Sequence, residues 1–243
     1  KSALVIGAGV SGMKAAIDLA RSGNEVFLIE KDFFVGGRIA QKETLFPTNQ
    51  NGKEVVAALY NEMKKFPNIT IFTGATVEKV SGSLGNFTVD IKVKPRYINP
   101  NADKKAVKRA MDECPVSVHD DFNLGLVERK AIYKNYPEAL PDVPVVVADA
   151  LKNDTDFTGK FASTLNLNEE AQTLSLIAGS VLVTTGYDHY QPKEGESGYK
   201  TISNVVTLPE LNRLMEMNPE KLVYNGKEIK SLAFIYCVGS RQT

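Results

Sequence analysis

Three glycines and one carboxylate near the start of the chain have the types and the spacing that dinucleotide binding requires. Gly7, Gly9 and Gly12 follow one apolar segment, and Glu30 ends a second apolar segment about 20 residues later. Gly7 permits a tight turn, Gly9 allows the backbone to approach a pyrophosphate, and Gly12 lets a helix pack closely on a strand. The Glu30 carboxylate suits the hydroxyls of an adenosine ribose and repels a 2′-phosphate, so FAD or NAD is expected rather than NADP.

A strand, a helix and a second strand must position these four residues. Residues 3–6 and 25–29 are apolar and predict strands, and the segment between them carries Ala16 and Leu19 on one helical face before it ends at Gly23. The N-terminus of this helix offers free N–H groups and a partial positive charge to phosphates. Val10 and Ser11 at the helix start are therefore assigned to the same site.

A second glycine stretch, Gly36-Gly37-Arg38, follows soon after Glu30 and Lys31, and Lys31 is also assigned to the site. Paired glycines allow another close approach of the backbone, and the Arg38 guanidinium is a forked cation suited to phosphate oxygens. The alternative is a flexible loop with a solvated arginine. Joined to the first motif, this stretch resembles the extended fingerprint of two-dinucleotide-binding flavoproteins, and the resemblance implies FAD.

A matching element lies far downstream, where the apolar residues 180–183 run into Thr184-Thr185-Gly186. It resembles the "ATG" segment of the same flavoproteins, with Thr184 in the place of the alanine. The resemblance implies that Thr185 and Gly186 contact FAD and that the backbone near Val77 meets the adenine. An ordinary strand valine is the alternative for Val77.

Composition excludes several classes of protein. The chain has 29 basic and 29 acidic side chains among 243 residues, so no basic surface favours nucleic acid or an anionic membrane. No apolar run is long enough to span a membrane. Cys114 and Cys237 are the two cysteines, which excludes a disulfide scaffold and suits a reducing cytoplasm, the expected location.

The pattern predicts an α/β protein with a Rossmann-like FAD-binding domain in two parts, residues 1–94 and 145–243. Between them, residues 95–144 are rich in charge and proline and are interpreted as an insertion. Such folds normally return with a late strand that ends in Gly-Asp, and since none occurs before residue 243, the domain is expected to be incomplete at its C-terminus. The other predicted elements are helices at 54–66 and 209–217 and strands at 69–73, 75–80, 86–94, 145–148, 157–165, 173–177, 201–207 and 231–238, the last one buried.

Four stretches together resemble the A subunit of heterodisulfide reductase and its relatives in sulfur metabolism. They are residues 37–41 leading to Phe46-Pro47-Thr48, then Cys114-Pro115-Val116, then residues 121–126 with 129–133, and finally residues 237–241. The resemblance covers nearly the whole chain. It implies a flavin-dependent oxidoreductase that holds FAD and exchanges electrons with partner subunits that handle thiols or disulfides.

The chain also departs from that family's pattern. The family's insertion commonly carries a ferredoxin-like C-x2-C-x2-C-x3-C-P run, and a cubane cluster needs about four thiolates. Here only Cys114 matches, while Lys104, Val107 and Ala110 occupy the other cysteine places. The resemblance therefore implies a degenerate ferredoxin-like insertion that holds no metal, and a Cys114 that acts as a small buried hydrophobe.

The sequence therefore predicts a FAD-binding electron-transfer subunit of a heterodisulfide-reductase-like complex, in a homo- or hetero-oligomer without nucleic acid. The alternatives are a scaffold subunit that holds FAD and a stand-alone NADH-linked disulfide reductase. The missing C-x-x-C pair and second glycine fingerprint count against the stand-alone reductase. No catalytic residue is assigned. His189 is either near the flavin edge or an ordinary surface residue, and Cys237 is either a redox thiol or a structural one.

Overall fold

The computed structural model describes residues 1–239, which form two compact units. The first unit comprises Lys1–His119 and Glu128–Gly186, and the second comprises Asp120–Val127 and residues 187–239. The first unit contains the following strands and helices: β1 (Ser2–Ile6), α1 (Val10–Arg21), β2 (Glu25–Glu30), α2 (Gly52–Met63), β3 (Ile69–Thr73), β4 (Ala75–Ser83), β5 (Asn86–Val93), α3 (Lys104–Glu113), β6 (Ser117–His119), β7 (Glu128–Lys130), β8 (Ile132–Tyr133), β9 (Val145–Val146), α4 (Ala148–Leu151), α5 (Thr155–Lys160), β10 (Gln172–Ala178) and β11 (Ser180–Val183).

A parallel sheet carries the glycine motif. Its order is β11-β1-β2-β3, and Val5 of β1 lies between Leu28 of β2 and Leu182 of β11. Helix α1 connects β1 to β2, as parallel neighbours require, and buries Met13 and Ile17. The carboxyl ends of β11, β1 and β2 consequently meet at one edge of the sheet. This arrangement confirms the predicted Rossmann-like α/β fold.

A second, antiparallel sheet has the order β10-β5-β4. It contains the predicted hairpin of β4 and β5, and β10 returns to pair with β5 along its whole length, from Gln172 opposite Val93 to Ala178 opposite Phe87. The two sheets share a cluster of buried side chains: Leu4, Ile29, Ala75, Val89, Ile91 and Ala178. This core anchors the end of β2, where Glu30 lies.

Residues 94–171 leave the antiparallel sheet after β5 and return to it at β10, and we call this segment the excursion. The predicted insertion boundary at residue 144 falls within the excursion, and the packing continues past it. The buried side chains of the excursion form their own cluster: Ile98, Ala110, Cys114, Ala131, Ile132, Val146, Leu151, Phe157, Phe161 and Leu165.

The second unit contains α6 (Leu208–Met217), β12 (Val223–Tyr224) and β13 (Lys227–Glu228). A capping box of Thr207 and Glu210 begins α6. The Nε of Arg213 on this helix donates a 2.6 Å hydrogen bond to Asn123, and its guanidinium lies 5.3 Å from the ring centre of Phe122. These contacts attach the short Asp120–Val127 segment to the helix.

Several predicted elements agree with the structure, and four do not. The predicted helices at 54–66 and 209–217 and the strands at 69–73 and 173–177 are confirmed by α2, α6, β3 and β10. The strand predicted at 157–165 is wrong, because the Asp154 side chain caps helix α5, on which Phe157 stacks with Phe161 at 5.0 Å. That spacing of four residues is helical.

The strand at 145–148 is shorter than predicted, since α4 begins at Ala148. The strand predicted at 201–207 is also wrong, because residues 198–205 form successive turns, with Ile202 N–H donating to Gly198 O at 2.8 Å.

The buried strand predicted at 231–238 is wrong as well. No strand of the described residues pairs with this segment, and its large apolar side chains are exposed, with Tyr236 at 83%. Within residues 1–239, no helix is both long enough and apolar enough to cross a membrane.

Candidate dinucleotide-binding site

The glycine turn after β1 is packed directly against the end of β11. Gly7 has φ +104°, and a Cβ there would lie 2.5 Å from the carbonyl oxygen of Thr184. A Cβ on Gly12 would lie 1.8 Å from the oxygen of Gly7. The Thr184 hydroxyl completes the contact, 2.9 Å from the carbonyl oxygens of both Ile6 and Gly7. Both glycines are therefore required by the fold itself.

Gly9 has a different role, because a Cβ at this position would meet nothing within 4 Å. It is the N-cap of α1, and no side chain within the described residues caps the helix there. Val10 and Ser11 follow in the first turn, which contains no acidic residue. The Gly9 position therefore has open space at the positive end of the helix dipole, an environment that favours phosphate oxygens.

Glu30 lies at the end of β2, beside the glycine turn. Its Oε2 accepts a 2.6 Å hydrogen bond from Ala8 N–H, and its Oε1 accepts one of 2.9 Å from Asp32 N–H. Burial raises the pKa of this carboxyl, while the two N–H groups oppose that shift. A carboxylate offers about four acceptor positions, so two N–H donors leave capacity for ribose hydroxyls.

The second glycine stretch is held against the first. Gly36 N–H donates to Ala8 O at 2.8 Å, and Gly36 forms a parallel bridge with Gly9. A Cβ on Gly37 would lie 3.6 Å from the Gly9 Cα. Arg38, half-buried, follows in the 3₁₀ turn Gly37–Gln41. The structure therefore places the Arg38 segment beside the open space at Gly9.

The remaining predicted site residues lie at varying distances from this centre. The Thr185 Cα would be 3.2 Å from a Cβ on Gly7, and Gly186 follows with φ +74°. Lys31 is exposed next to Glu30. Val77 pairs with Ile91 in the antiparallel sheet and packs on the core that the sheets share, so its contact with adenine stays a prediction.

Three residues at the site were not predicted from the sequence. Ala8 and Asp32 contribute through backbone N–H groups, which no side-chain pattern reveals. Thr184 was visible only as a departure from the alanine of the ATG segment, yet its hydroxyl ties β11 to the glycine turn. A hydroxyl directly after an apolar strand segment is the signal that could have identified it.

The other candidates lie in other parts of the chain, Cys114 in the excursion and Cys237 and His189 in the second unit. Cys114 is buried, as expected, and its thiol lies 3.6 Å from Val116 O. Cys237 belongs to the second unit and is exposed, so the expectation that it ends a buried strand is wrong. His189 is also in the second unit, in edge contact with Tyr187 at 5.2 Å. The family stretch at 237–241 continues into Ser240 and Arg241, which lie outside the described residues.

The geometry fits the adenosine diphosphate half of FAD. A Cβ at Gly9 would meet no atom within 4 Å, and the Glu30 oxygens accept only two hydrogen bonds that the structure shows within residues 1–239, so both features are compatible with a pyrophosphate and a ribose. By contrast, no group of three or more His, Cys, Asp or Glu side chains in the described part of the chain is arranged to hold a metal ion.

Known proteins match this chain along most of its length. Residues 3–121 match the family model of FAD dependent oxidoreductases. An iron-sulfur A subunit of the CoB--CoM heterodisulfide reductase of Methanopyrus kandleri is 40% identical over 98% of this chain and 37% of its own length. The A subunit of the H(2)/formate:CoB-CoM heterodisulfide,ferredoxin reductase of Methanococcus maripaludis is 34% identical over 99% of this chain and 38% of its own.

The chain is therefore similar to the A subunits of heterodisulfide reductases, and it spans 37% and 38% of the length of these two relatives. The match to the FAD dependent oxidoreductases indicates that the chain binds FAD.

Replacing Gly9 by valine is expected to abolish FAD binding without unfolding the protein. The backbone of Gly9 is extended, with φ −72°, which any residue adopts, while the new methyl groups would occupy the place of the pyrophosphate. The affinity should fall by about 100-fold or more, equivalent to about 2.7 kcal/mol. Flavin fluorescence titration and thermal unfolding of the apoprotein measure the two effects separately. Gly12→Ala is the matched control and should lose stability and binding together; unchanged FAD affinity in Gly9→Val would contradict the assignment.

The Glu30 carboxyl is expected to make apoprotein stability depend on pH. Its pKa is higher in the fold than the ordinary 4.5, so the folded state binds the proton more tightly than the unfolded chain. The contribution of Glu30 to the free energy of unfolding is therefore complete below pH 4.5, and it is lost as the pH rises through the pKa that Glu30 has in the folded state. The free energy of unfolding of the wild type minus that of Glu30→Gln should therefore decrease over this range in denaturant titrations. A difference that stays constant with pH would show that Glu30 has an ordinary pKa.

Proposed function

We propose that the protein is a FAD-dependent oxidoreductase subunit that transfers electrons within a heterodisulfide-reductase-like complex of sulfur or thiol–disulfide metabolism. The observation that carries the proposal is the open glycine cradle at the start of α1, in a chain that matches relatives of this name over nearly its whole length. When bound, FAD supplies the redox chemistry, and the protein supplies binding, orientation and electrostatics.

Each part of the proposed site has a defined task. The N-terminus of α1, with Gly9, Val10 and Ser11, would hold the pyrophosphate, and Glu30 would accept hydrogen bonds from the ribose. Gly37 and the cation of Arg38 would approach the phosphate oxygens from the neighbouring 3₁₀ turn. We assign the flavin side of the cofactor to Thr185 and Gly186, the adenine to the backbone near Val77, and a supporting positive charge to Lys31.

We further propose that residues 95–144 are a degenerate ferredoxin-like insertion between two parts of the FAD domain, 1–94 and 145–243. Three of the family's cysteine places fall on helix α3, where Val107 and Ala110 pack into the core of the excursion and Lys104 is exposed. Apolar contacts thus take the place of metal ligands, which supports an insertion that keeps a structural role without a cluster.

The proposed partners are the other subunits of the complex, in a homo- or hetero-oligomer. One relative is named as the A subunit of a ferredoxin/F(420)H(2)-dependent CoB-CoM heterodisulfide reductase, which describes that protein as part of a larger assembly. A cytoplasmic location is proposed because both cysteines, Cys114 and Cys237, are free thiols.

The 243-residue chain is expected to hold no iron–sulfur cluster, because a single cysteine among the four family places cannot ligate one. Iron and acid-labile sulfide assays on anaerobically purified chain should read near zero, while the flavin content approaches one per chain. Stoichiometric iron would overturn the degenerate insertion.

The bound flavin is expected to react slowly with NADH unless partner subunits are present. The reason is that the sequence has neither a second glycine fingerprint nor a C-x-x-C pair. Stopped-flow mixing of the full-length protein with NADH, followed by flavin bleaching, measures this rate. Bleaching that accelerates when copurifying subunits are restored supports the proposal. Reduction on the order of 10 per second without any partner, a typical turnover rate, would instead favour a stand-alone reductase.

A further inference from the structure

Arg96 lies just after β5, where the excursion begins, and its side chain is partly buried. Burial lowers its pKa to about 10, and the neighbouring Tyr133 and Tyr60 oppose that shift. The side chain is therefore still a cation at neutral pH. A cation that is partly withdrawn from water is stabilised by hydrogen-bond acceptors or paired charges.

The acceptors of Arg96 within the described residues are three neutral oxygens from three different parts of the first unit. Nη1 donates to the carbonyl oxygen of Val143 at 2.6 Å, and Nη2 donates to the Thr73 hydroxyl at 2.9 Å and to the carbonyl oxygen of Phe33. The guanidinium also lies 5.4 Å and 5.2 Å from the ring centres of Phe33 and Phe34. One side chain thus joins the excursion, the end of β3 and the loop after β2.

The loop after β2, residues 31–37, connects Glu30 to Gly37 and thereby links the two halves of the cofactor site. It is attached at further points: Asp32 O accepts from Gly74 N–H at 2.8 Å, and Val35 N–H donates to Leu140 O at 2.9 Å. The Phe33 ring packs so closely on Gly74 that a Cβ there would lie 2.5 Å from it. The excursion therefore holds this loop twice, through Arg96 and through Leu140.

We propose that Arg96 is a positioning residue through which the excursion holds the 31–37 loop in the shape that binds FAD. The inference rests on the proposed FAD function. In this proposal the folded core of the excursion holds the backbone of Phe33. The position of Phe33 then keeps the Asp32 N–H on Glu30 and keeps Gly37 beside Gly9. Occupancy of the cofactor site and order in the excursion are then coupled, since each favours the same arrangement of the loop.

The test compares Arg96→Gln and Arg96→Lys with Arg109→Gln in the full-length protein. Arg109 is the matched control, because it too belongs to the excursion and lies 5.3 Å from an aromatic ring, but its contacts with Phe161 and Glu113 stay within the excursion. Flavin fluorescence titration measures the FAD Kd, and hydrogen exchange of the amides at 98–165, with and without FAD, measures the coupling.

FAD is expected to slow exchange in the excursion of the wild type. Arg96→Gln should raise the Kd by about 10- to 100-fold, the loss expected for hydrogen bonds to a charged group, and should remove the protection by FAD. Arg96→Lys keeps the positive charge but lacks the forked N–H donors of the guanidinium, so its Kd should be intermediate. If Arg96→Gln does not fold, the lysine variant provides the test. Arg109→Gln should change neither measurement.

The outcomes separate the two proposals. A wild type that binds no FAD overturns the proposed function. A wild type that binds FAD, with Arg96 variants of unchanged Kd or unchanged protection, overturns the positioning role alone. A loss of thermal stability without a change in either readout would likewise overturn it, because a residue that only supports the fold gives that result.

Discussion

The close contact between the glycine turn after β1 and Thr184 at the end of β11 is the constraint on which the cofactor site depends. The turn has no space for a side chain at Gly7 or Gly12, and the Thr184 hydroxyl joins the two chain segments across the sheet edge. Because this contact is made largely by backbone atoms, the start of α1 has a fixed position. The open face of Gly9 is a consequence of that position.

A second level of organisation surrounds this contact. The Glu30 carboxylate accepts one hydrogen bond from Ala8 N–H in the glycine turn and one from Asp32 N–H in the loop after β2. The same loop reaches Gly9 through Gly36 and the excursion through Phe33 and Val35. The carboxylate that is suited to a ribose therefore also holds the cradle together, and a raised pKa is the electrostatic consequence of that buried position.

The excursion, residues 94–171, has a hydrophobic core of its own. Its core buries Cys114 and Ala110 among apolar side chains, so its cohesion comes from apolar packing. The segment Asp120–Val127 departs from the excursion and joins α6 in the second unit through Asn123 and Phe122. Residues 121–126 are part of one of the four stretches that carry the family resemblance, and the contacts of Asn123 and Phe122 give them a structural role.

The sequence by itself determined the elements whose cause is local. The glycine spacing, the apolar segments and the acid at position 30 specify the βαβ unit, and Thr207 with Glu210 specifies the start of α6. Local patterns gave a wrong prediction where the structure depends on a neighbouring strand. Residues 231–238 have the apolar composition of a buried strand, yet within residues 1–239 no strand pairs with them. Residues 157–165 were predicted to form a strand, but the Asp154 side chain caps helix α5, which contains Phe157 and ends just before Phe161.

Only the tertiary structure decided which distant groups share the site. The Ala8 and Asp32 N–H groups on Glu30, the Thr184 hydroxyl on Gly7 and the carbonyl oxygens on Arg96 come from segments far apart in the chain. Backbone donors and acceptors occur at almost every residue, so a sequence does not show which of them will meet. Their meeting is determined by strand order and by packing of the excursion, and these are properties of the whole fold.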